Sequence, residues 1–212
     1  MASYGPVRHN FAVLHLTSAA SFSRRMRELE AAHAGEGFGP FWEEIFAHAS
    51  ASVLLAVAAL EAYVTESLVD HTDLFARDAE HRTEERNRYR RMRPLERYQY
   101  ALGQLAQGKL DLGNPSCQGI AALVELRNKL THFKPEWDTD RLEHAELAHL
   151  LARWIERSPF IQPSAGLFPN GWASHSCTAW AVRSIVDFIV EFDRRAGIEG
   201  RLSQHLDRFA DL

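Results

Sequence analysis

The chain has 212 residues, of which 46% are hydrophobic and 25% charged, and its formal net charge at pH 7 is -4. This length and composition fit one globular domain with a sizeable core. The acidic balance gives no overall attraction to nucleic acid, so any site for a polyanion has to be a local patch. Cys117 and Cys177 allow one bridge at most, which is no disulfide framework.

These features predict a cytoplasmic protein with reduced thiols and no membrane contact. No apolar run approaches the roughly 20 residues that a membrane helix needs. The longest run, residues 53–60, is followed directly by Glu61. The N-terminus has no basic segment followed by an apolar core and a small-residue cleavage site, so we expect no signal peptide.

One helix is predicted before the first glycine-rich break at residues 35–39. Residues 7–16 alternate weakly between polar and apolar positions and are the only stretch with strand character. Thr17 or Ser18 is a suitable N-cap for a helix that then continues to Gly35.

The longest helix is predicted over residues 40–69, where apolar side chains recur at steps of three and four. Residues 52–60 are nearly all small or apolar, so we expect this part to be buried on most sides. Glu61 lies at the edge of this segment, and a carboxylate there needs a partner. Arg127 is the partner that we predict, in an ion pair that also holds the arginine in place.

Residues 78–97 form a charge-dense segment in which arginines outnumber acids and tyrosines are interleaved. Arginines with aromatic side chains can track phosphates and stack on bases. Charge runs are also typical of a solvated helix or loop. The excess of arginine favours a surface that faces RNA. The candidate RNA-binding residues are Arg86, Arg90, Arg91, Arg93 and, from a later segment, Lys134.

The remaining sequence predicts further helices separated by proline- and glycine-bearing loops. The central one of these carries the segment 126–135 and ends close to His132. Gly197 is placed to end the last long helix. The other predicted helices cover residues 94–105, 142–157, 174–195 and a short amphipathic C-terminal segment at 202–209. The predicted fold class is all-α, a single-domain helical bundle with an extra C-terminal helix.

The central helix places an arginine, an amide and a histidine just before Pro135 stops it. Arg127 projects within the apolar arc, where an unpaired charge is costly. Asn128 and His132 are four positions apart, so they are neighbours on the helix. A histidine in the last turn lies at the negative end of the helix dipole, which favours its protonated form.

Two interpretations of these residues stay open. In the structural one, Arg127 is the buried partner of an acid and His132 is a capping or interface residue. In the functional one, both act on a phosphate. The two side chains are about 140° apart on a regular helix. They meet at one phosphate only if the helix end bends or a second subunit contributes.

Most common enzyme motifs are absent from the sequence. His144 and His149 are five apart, which misses the spacing of a helical zinc pair, and there is no HExxH. No phosphate-binding glycine loop, GxGxxG or GxSxG occurs. We therefore expect no metal and no cofactor.

The segment Leu126-Arg127-Asn128-Lys129-Leu130-Thr131-His132-Phe133-Lys134-Pro135 resembles the signature of the HEPN superfamily. That signature is an arginine, often followed by Asn, Asp or His, and then a histidine after four to six intervening residues. Residues 58–63, 94–98 and 177–181 also resemble core segments of uncharacterised bacterial HEPN-like proteins. The resemblance covers roughly residues 40–195.

The resemblance implies a helical bundle that dimerises with the Arg–His motifs of two subunits facing one cleft. It assigns residues 1–39 to an N-terminal extension, 40–197 to the HEPN-like domain and 198–212 to the C-terminal helix. Active relatives are metal-independent endoribonucleases, many of them toxins or antiviral effectors, so an antitoxin is a further expected partner. In this role Arg127 binds the phosphate, Asn128 orients His132 or contacts the phosphate, and His132 transfers protons.

Two other functions are compatible with the same sequence. One is a non-catalytic HEPN module that binds nucleotide, RNA or a partner protein. The other is a purely structural role, in which Arg127 and Glu61 form a buried pair and His132 packs at a dimer seam.

Overall fold

The computed structural model describes residues 8–76, 78, 80–137 and 142–212, and these residues form helices and no strand. This confirms the predicted all-α fold class. Short 3-10 helices cover Glu80–Arg82 and Arg201–Phe209, and a π-helical turn covers Leu167–Gly171. The α-helices are α1 (Ala12–Ala32), α2 (Trp42–His71), α3 (Thr83–Arg91), α4 (Pro94–Ala106), α5 (Pro115–Thr131), α6 (Leu142–Leu151) and α7 (His175–Ala196).

Helix α2 is the central element and packs against α1, α4, α5 and α7. Ala49, Ala56 and Ala59 are fully buried on it, and such small side chains let a neighbouring helix approach closely. Ser52 is also buried, and its hydroxyl donates to the Ala19 carbonyl of α1 at 3.0 Å. The predicted burial of residues 52–60 is confirmed for most positions, whereas Leu55 and Ala58 are half-buried and Leu54 is exposed.

Among the described helices, α2 alone is long and apolar enough to cross a membrane by length and composition. The predicted longest apolar run, residues 53–60, lies in this helix, and an 18-residue window inside the helix reaches a mean hydropathy of 1.7. The window is longer than residues 53–60 because the neighbouring turns carry few charges.

Helix α1 begins at Ala12 and residues 8–11 form no strand, so the predicted strand character and the predicted cap at Thr17 or Ser18 are both wrong. Residue 7 of the predicted strand segment lies outside the described residues. The first backbone amides of the helix find an acceptor on another element. The Glu66 carboxylate of α2 accepts from the Phe11 and Ala12 amides at 2.7 and 3.1 Å. This partner lies more than fifty residues away in the chain, so no local pattern indicates it.

Helix α7 ends at the glycine that the sequence predicts, and a serine caps its start. Ser174 is its N-cap and accepts a hydrogen bond from the Cys177 amide at 3.1 Å. Gly197 ends it with a left-handed φ of 67°, a conformation that favours glycine. The C-terminal 3-10 helix then packs against α1 and α7, with Leu202 and Phe209 buried.

Helix α6 is shorter than predicted, since it ends at Leu151 rather than near residue 157. Beyond it the chain is held against the start of α7. The Trp154 ring stacks on Trp180 at 6.0 Å, and the Glu156 amide donates to the Ser176 hydroxyl at 2.9 Å. These contacts compete with a further helical turn.

Helices α4 and α5 carry the candidate site, and the core fixes both of them. Tyr98 of α4 is buried, and its hydroxyl donates to the Leu60 carbonyl at 2.9 Å. Its ring lies edge-on between Phe188 and Phe192 of α7. Helix α5 buries its apolar stripe, including Leu123, so its opposite face stays accessible.

Candidate functional site

Helix α5 ends where the sequence predicts. Asn114 caps its start by accepting from the Cys117 amide at 2.8 Å, and Pro115 occupies the first turn. His132 is the C-cap, and its backbone amide donates to the Asn128 carbonyl at 2.8 Å. The helix end is therefore regular up to the histidine and brings no sharp bend into the motif.

The predicted ion pair between Arg127 and Glu61 is present. Both side chains are partly buried, with exposed fractions of 25% and 31%. The Arg127 Nη2 atom donates to the Glu61 carboxylate, while its buried Nε has no hydrogen-bond partner among the described residues.

Arg127 and Asn128 line a cleft of about 1360 Å³ between α4 and α5, with α3 at one end. Four arginines and two glutamates face it, in a chain whose formal net charge is -4. The cleft is therefore a local cationic region of the kind that a polyanion needs. Its charged and amide lining residues are Arg88, Arg91, Arg93, Arg127, Glu96, Glu125, Gln99, Gln104, Gln118 and Asn128.

His132 lies outside this cleft. The side chain is exposed beyond the last turn of α5, and the lining residues of the cleft include no histidine. One chain therefore brings Arg127 and Asn128 together with the arginine-rich segment, whereas His132 lies outside the cleft. This agrees with the wide angular separation of Arg127 and His132 on the helix.

Only part of the predicted RNA-binding set reaches the cleft. Arg91 and Arg93 line it, whereas Arg86 and Arg90 do not. Lys134 is highly exposed and lies 3.8 Å from the Glu143 carboxylate. Two of the five candidate RNA-binding residues therefore line the cleft, and RNA contact by all five stays a prediction.

Arg88 is a lining residue that the sequence reasoning missed. Tyr89 is the buried position of α3, and it fixes how that helix is turned. At about 100° per residue, Arg88 and Arg91 fall on one side of Tyr89, and Arg86 and Arg90 fall on the other. Treating Tyr89 as the inward residue is the signal that finds Arg88.

Helix α3 is held in place by contacts to α2 and α4. The Tyr89 hydroxyl lies 2.9 Å from the Thr65 hydroxyl of α2, one helical turn beyond Glu61. Arg97 of α4 lies over the Tyr89 ring, and its guanidinium donates to backbone carbonyls at the end of α3 and just beyond it. These contacts couple the position of the arginine-rich helix to the helix that carries Glu61.

The arginines of this segment divide into internal and free groups. Arg82 pairs with Asp73 at 2.9 Å, and Arg97 caps carbonyls as above. Arg88, Arg91 and Arg93 form no ion pair with a described acidic residue. Unpaired guanidinium groups on an accessible wall are available for phosphate oxygens, which they bind in bidentate fashion.

Two other titratable side chains of the cleft stay protonated near neutral pH. Burial raises the pKa of the Cys117 thiol, with nearby Asp111 adding to the effect. Burial and a hydrogen bond to Glu85 raise the pKa of Tyr100. A protonated thiol is a poor nucleophile, so Cys117 does not offer covalent catalysis here.

No family model matches the chain, and neither the curated proteins nor the solved structures contain a significant match to it.

Proposed function

We propose that this protein binds RNA in the cleft and, as a homodimer, cleaves it by attack of the RNA's own 2′-hydroxyl. The observation that carries the proposal is the gathering of Arg88, Arg91 and Arg93, none of which has an ion-pair partner in the described part of the chain, with Arg127 around one cleft. In an acidic chain such a cluster favours a polyanion with several phosphates. The resemblance of the segment 126–135 to the HEPN signature supports the nuclease activity.

The reaction needs proton transfer and charge stabilisation only. The 2′-oxygen attacks the adjacent phosphorus and the bond from phosphorus to the 5′-oxygen breaks. The products are a 2′,3′-cyclic phosphate and a free 5′-hydroxyl. One proton leaves the 2′-hydroxyl and one reaches the departing 5′-oxygen, so no oxidant or water is consumed. The attack is intramolecular, which removes much of the entropic barrier.

His132 and Arg127 are the residues to which we assign these tasks. A histidine exchanges protons near neutral pH and serves as base or acid. A fixed guanidinium next to the phosphate stabilises the negative charge that grows on it in the transition state. Asn128 lies one turn before His132 and orients it or donates to a phosphate oxygen.

The proposal includes a second copy of the chain because the cleft lacks a histidine. The carboxylates of Glu96 and Glu125 are the acids that line it. An arrangement in which His132 of one copy serves beside Arg127 of the other supplies the missing proton-transfer group. An assignment as a toxin or antiviral effector, with an antitoxin as partner, remains a prediction from the resemblance.

A binding module without catalysis is the second candidate function. It is favoured by the position of His132 outside the cleft and by the pairing of Arg127 with Glu61. In this case RNA docks on the same arginines and stays intact. A steep fall of affinity with salt concentration is expected for either function.

The test is an incubation of the purified protein with a mixed RNA pool in EDTA, with product ends analysed for 2′,3′-cyclic phosphate. We compare the parent with His132→Ala and with His149→Ala, an exposed histidine on α6 that does not line the cleft. Cleavage by the parent and by His149→Ala, but not by His132→Ala, supports the nuclease. Salt-dependent binding without cleavage supports the module, and cleavage by all three points to a contaminant.

The dimer is tested separately by mixing two inactive variants. His132→Ala retains its arginine and Arg127→Ala retains its histidine. If each cleft combines residues from two copies, a mixed dimer contains one cleft with an intact Arg127 and an intact His132. Mixing the two variants then restores part of the parent cleavage rate. If the mixture stays as inactive as its components, the shared cleft is wrong.

A further inference from the structure

The cleft between α4 and α5 has two chemically different ends. The start of α4 lies near the end of α5, because Glu61 of α2 pairs with Arg127 while the neighbouring Leu60 carbonyl accepts from Tyr98. Arg91, Arg93 and Arg127 gather at that end. The other end carries no arginine among its described lining residues. Its lining residues are Gly103, Gln104, Leu112, Cys117, Gln118 and Ala121.

Gly103 is the feature of the neutral end that its surroundings do not explain. It lies inside α4, where a glycine weakens a helix relative to alanine. A Cβ placed on it meets no atom within 4 Å. Gly119 of α5, by contrast, faces the Trp154 ring at 3.6 Å, so its neighbour limits the space there. The space beside the Gly103 backbone therefore lets a group of another molecule approach it closely.

Leu112 forms an apolar wall at the same end of the cleft as Gly103, and 56% of its surface is exposed. Its loop is held by Gln99, whose side chain accepts from the Leu110 amide at 2.7 Å and donates to the Gly108 carbonyl at 3.4 Å. Asp111 accepts from the Gly113 amide at 2.9 Å and closes the turn. The wall is therefore fixed by the chain itself rather than by a ligand.

We propose that the neutral end is a subsite for one nucleobase of an RNA strand whose phosphates lie at the arginine end. The inference rests on the proposed function and names the part of the substrate that this end takes. A base is a flat, uncharged ring that stacks on apolar surface. A phosphate at this end has no arginine among the described lining residues, and the guanidinium of nearby Arg195 donates to the Lys109 carbonyl. Leu112 supplies apolar surface and Gly103 leaves room for the ring.

Amide side chains at the same end complement the edge of a base. Gln104 makes no side-chain hydrogen bond to a described residue. Gln118 donates through Nε2 to the Gly113 carbonyl at 2.8 Å, which leaves its Oε1 as an acceptor. One free amide and one free acceptor are sufficient to read polar groups on a base edge.

The experiment measures the affinity of the full-length protein for oligonucleotides of eight nucleotides. Their 2′-O-methyl groups prevent cleavage by attack of the 2′-oxygen. One carries uracil, one carries adenine, and one is a sugar–phosphate chain without bases. Gly103→Leu fills the neutral end. Ala106→Leu is the matched control, because Ala106 is exposed on α4 and does not line the cleft.

We expect the parent and Ala106→Leu to bind at least one base-bearing oligonucleotide tenfold or more tightly than the chain without bases. Gly103→Leu is expected to lose this preference and to keep the affinity for the chain without bases. The melting temperature of each variant and its mass in solution are measured alongside, so that unfolding is recognised. If Gly103→Leu unfolds, Gly103→Val and Gln104→Ala at the same end replace it.

Other results overturn the inference. Equal affinity of the parent for all three probes means that only phosphates are bound, and the proposed function then survives without the base subsite. An unchanged preference in a folded Gly103→Leu places the base elsewhere. A change in the oligomeric mass of Gly103→Leu, with the preference intact, assigns the neutral end to a second copy. Binding of none of the probes removes the proposed function as well.

Discussion

The bundle of α1, α2 and α7 and the cleft between α4 and α5 treat polar groups in opposite ways. In the bundle, Ser52 and Ser23 are buried and each has a hydrogen-bond partner on another helix. In the cleft, Arg88, Arg91 and Arg93 have no acidic partner among the described residues. A buried polar group without a partner destabilises the fold, whereas a charged group on an open wall stays solvated until a ligand arrives. The first region is built for stability and the second for contact with a charged molecule.

The largest effect is expected from a core substitution, which separates the two regions. Leu60 of α2 is fully buried and its backbone carbonyl accepts from Tyr98. Leu60→Ala removes apolar contacts and leaves a cavity, so the free energy of unfolding should fall by about 2–5 kcal/mol. Urea denaturation measures this loss. The RNA affinity of the folded fraction should stay at the parent value, and a parallel loss of affinity would show that the regions are not independent.

Asp193 of α7 is one of several exceptions within the bundle, since Thr17, Ser50 and His175 also carry a buried polar atom without a partner among the described residues. It is 7% exposed, accepts from the Tyr63 hydroxyl at 2.5 Å, and leaves its second oxygen without a partner among the described residues. Burial raises the pKa of Asp193 to about 6, above the ordinary value of 3.8. The folded state thus holds a proton that the unfolded state has lost between these two pH values. The contribution of Asp193 to stability is therefore greatest below pH 4 and is lost as the pH rises to 6.

Asp193→Asn should remove this fall, since an amide does not titrate. At pH 7 the variant is expected to be more stable than the parent by about 1–3 kcal/mol. Thermal denaturation from pH 4 to pH 8 measures the difference, with Asp187→Asn, an exposed site on the same helix, as the control. A difference in stability between the parent and Asp193→Asn that stays the same from pH 4 to pH 8 contradicts the assignment.

The ion pair between Glu61 and Arg127 lies on the border between the two regions. The pair is partly buried, so breaking it should destabilise the protein more than breaking an exposed pair and less than breaking a buried one. We expect either Arg127→Ala or Glu61→Gln to lower the free energy of unfolding by about 1–3 kcal/mol. The two variants should differ in RNA affinity. Arg127→Ala loses a phosphate contact and binds about tenfold more weakly. Glu61→Gln releases the arginine and binds more tightly.

Titration with a 2′-O-methyl oligonucleotide, combined with urea denaturation, checks both variants. If the pair is purely structural, both substitutions lower stability and neither changes the affinity of the folded protein. Opposite changes in affinity mean that the pair restrains a functional arginine.

The sequence predicted the bundle better than the cleft, and the reason is physical. Helical periodicity and caps are local, so Pro94, Ser174 and Gly197 mark element ends correctly. The start of α1 depends on Glu66 of another helix, which no local pattern reveals. The pairing of Glu61 with Arg127 was predictable because a partly buried charge needs an opposite charge.

Charge density alone did not predict which arginines line the cleft. All arginines of residues 82–97 look alike in the sequence. Their separation into internal and free groups depends on the burial of Tyr89 and on its contact with Thr65. The candidate site could therefore be found as a motif, whereas its extent required the packing of α3.

The smallest effect is expected from single arginines of α3, and it gives the sharpest comparison within one helix. Arg88→Gln and Arg90→Gln remove the same charge, but only Arg88 lines the cleft. Neither residue has an ion pair with a described residue, so both variants should keep the parent stability within about 0.5 kcal/mol.

Affinity for a single-stranded 2′-O-methyl oligonucleotide is measured at several salt concentrations. Loss of one phosphate contact lowers the slope of log affinity against log salt by about 0.7. We expect this change for Arg88→Gln and the parent slope for Arg90→Gln. Equal changes in both would mean that RNA follows the overall charge of α3 rather than the cleft, because the two side chains point to opposite sides of Tyr89.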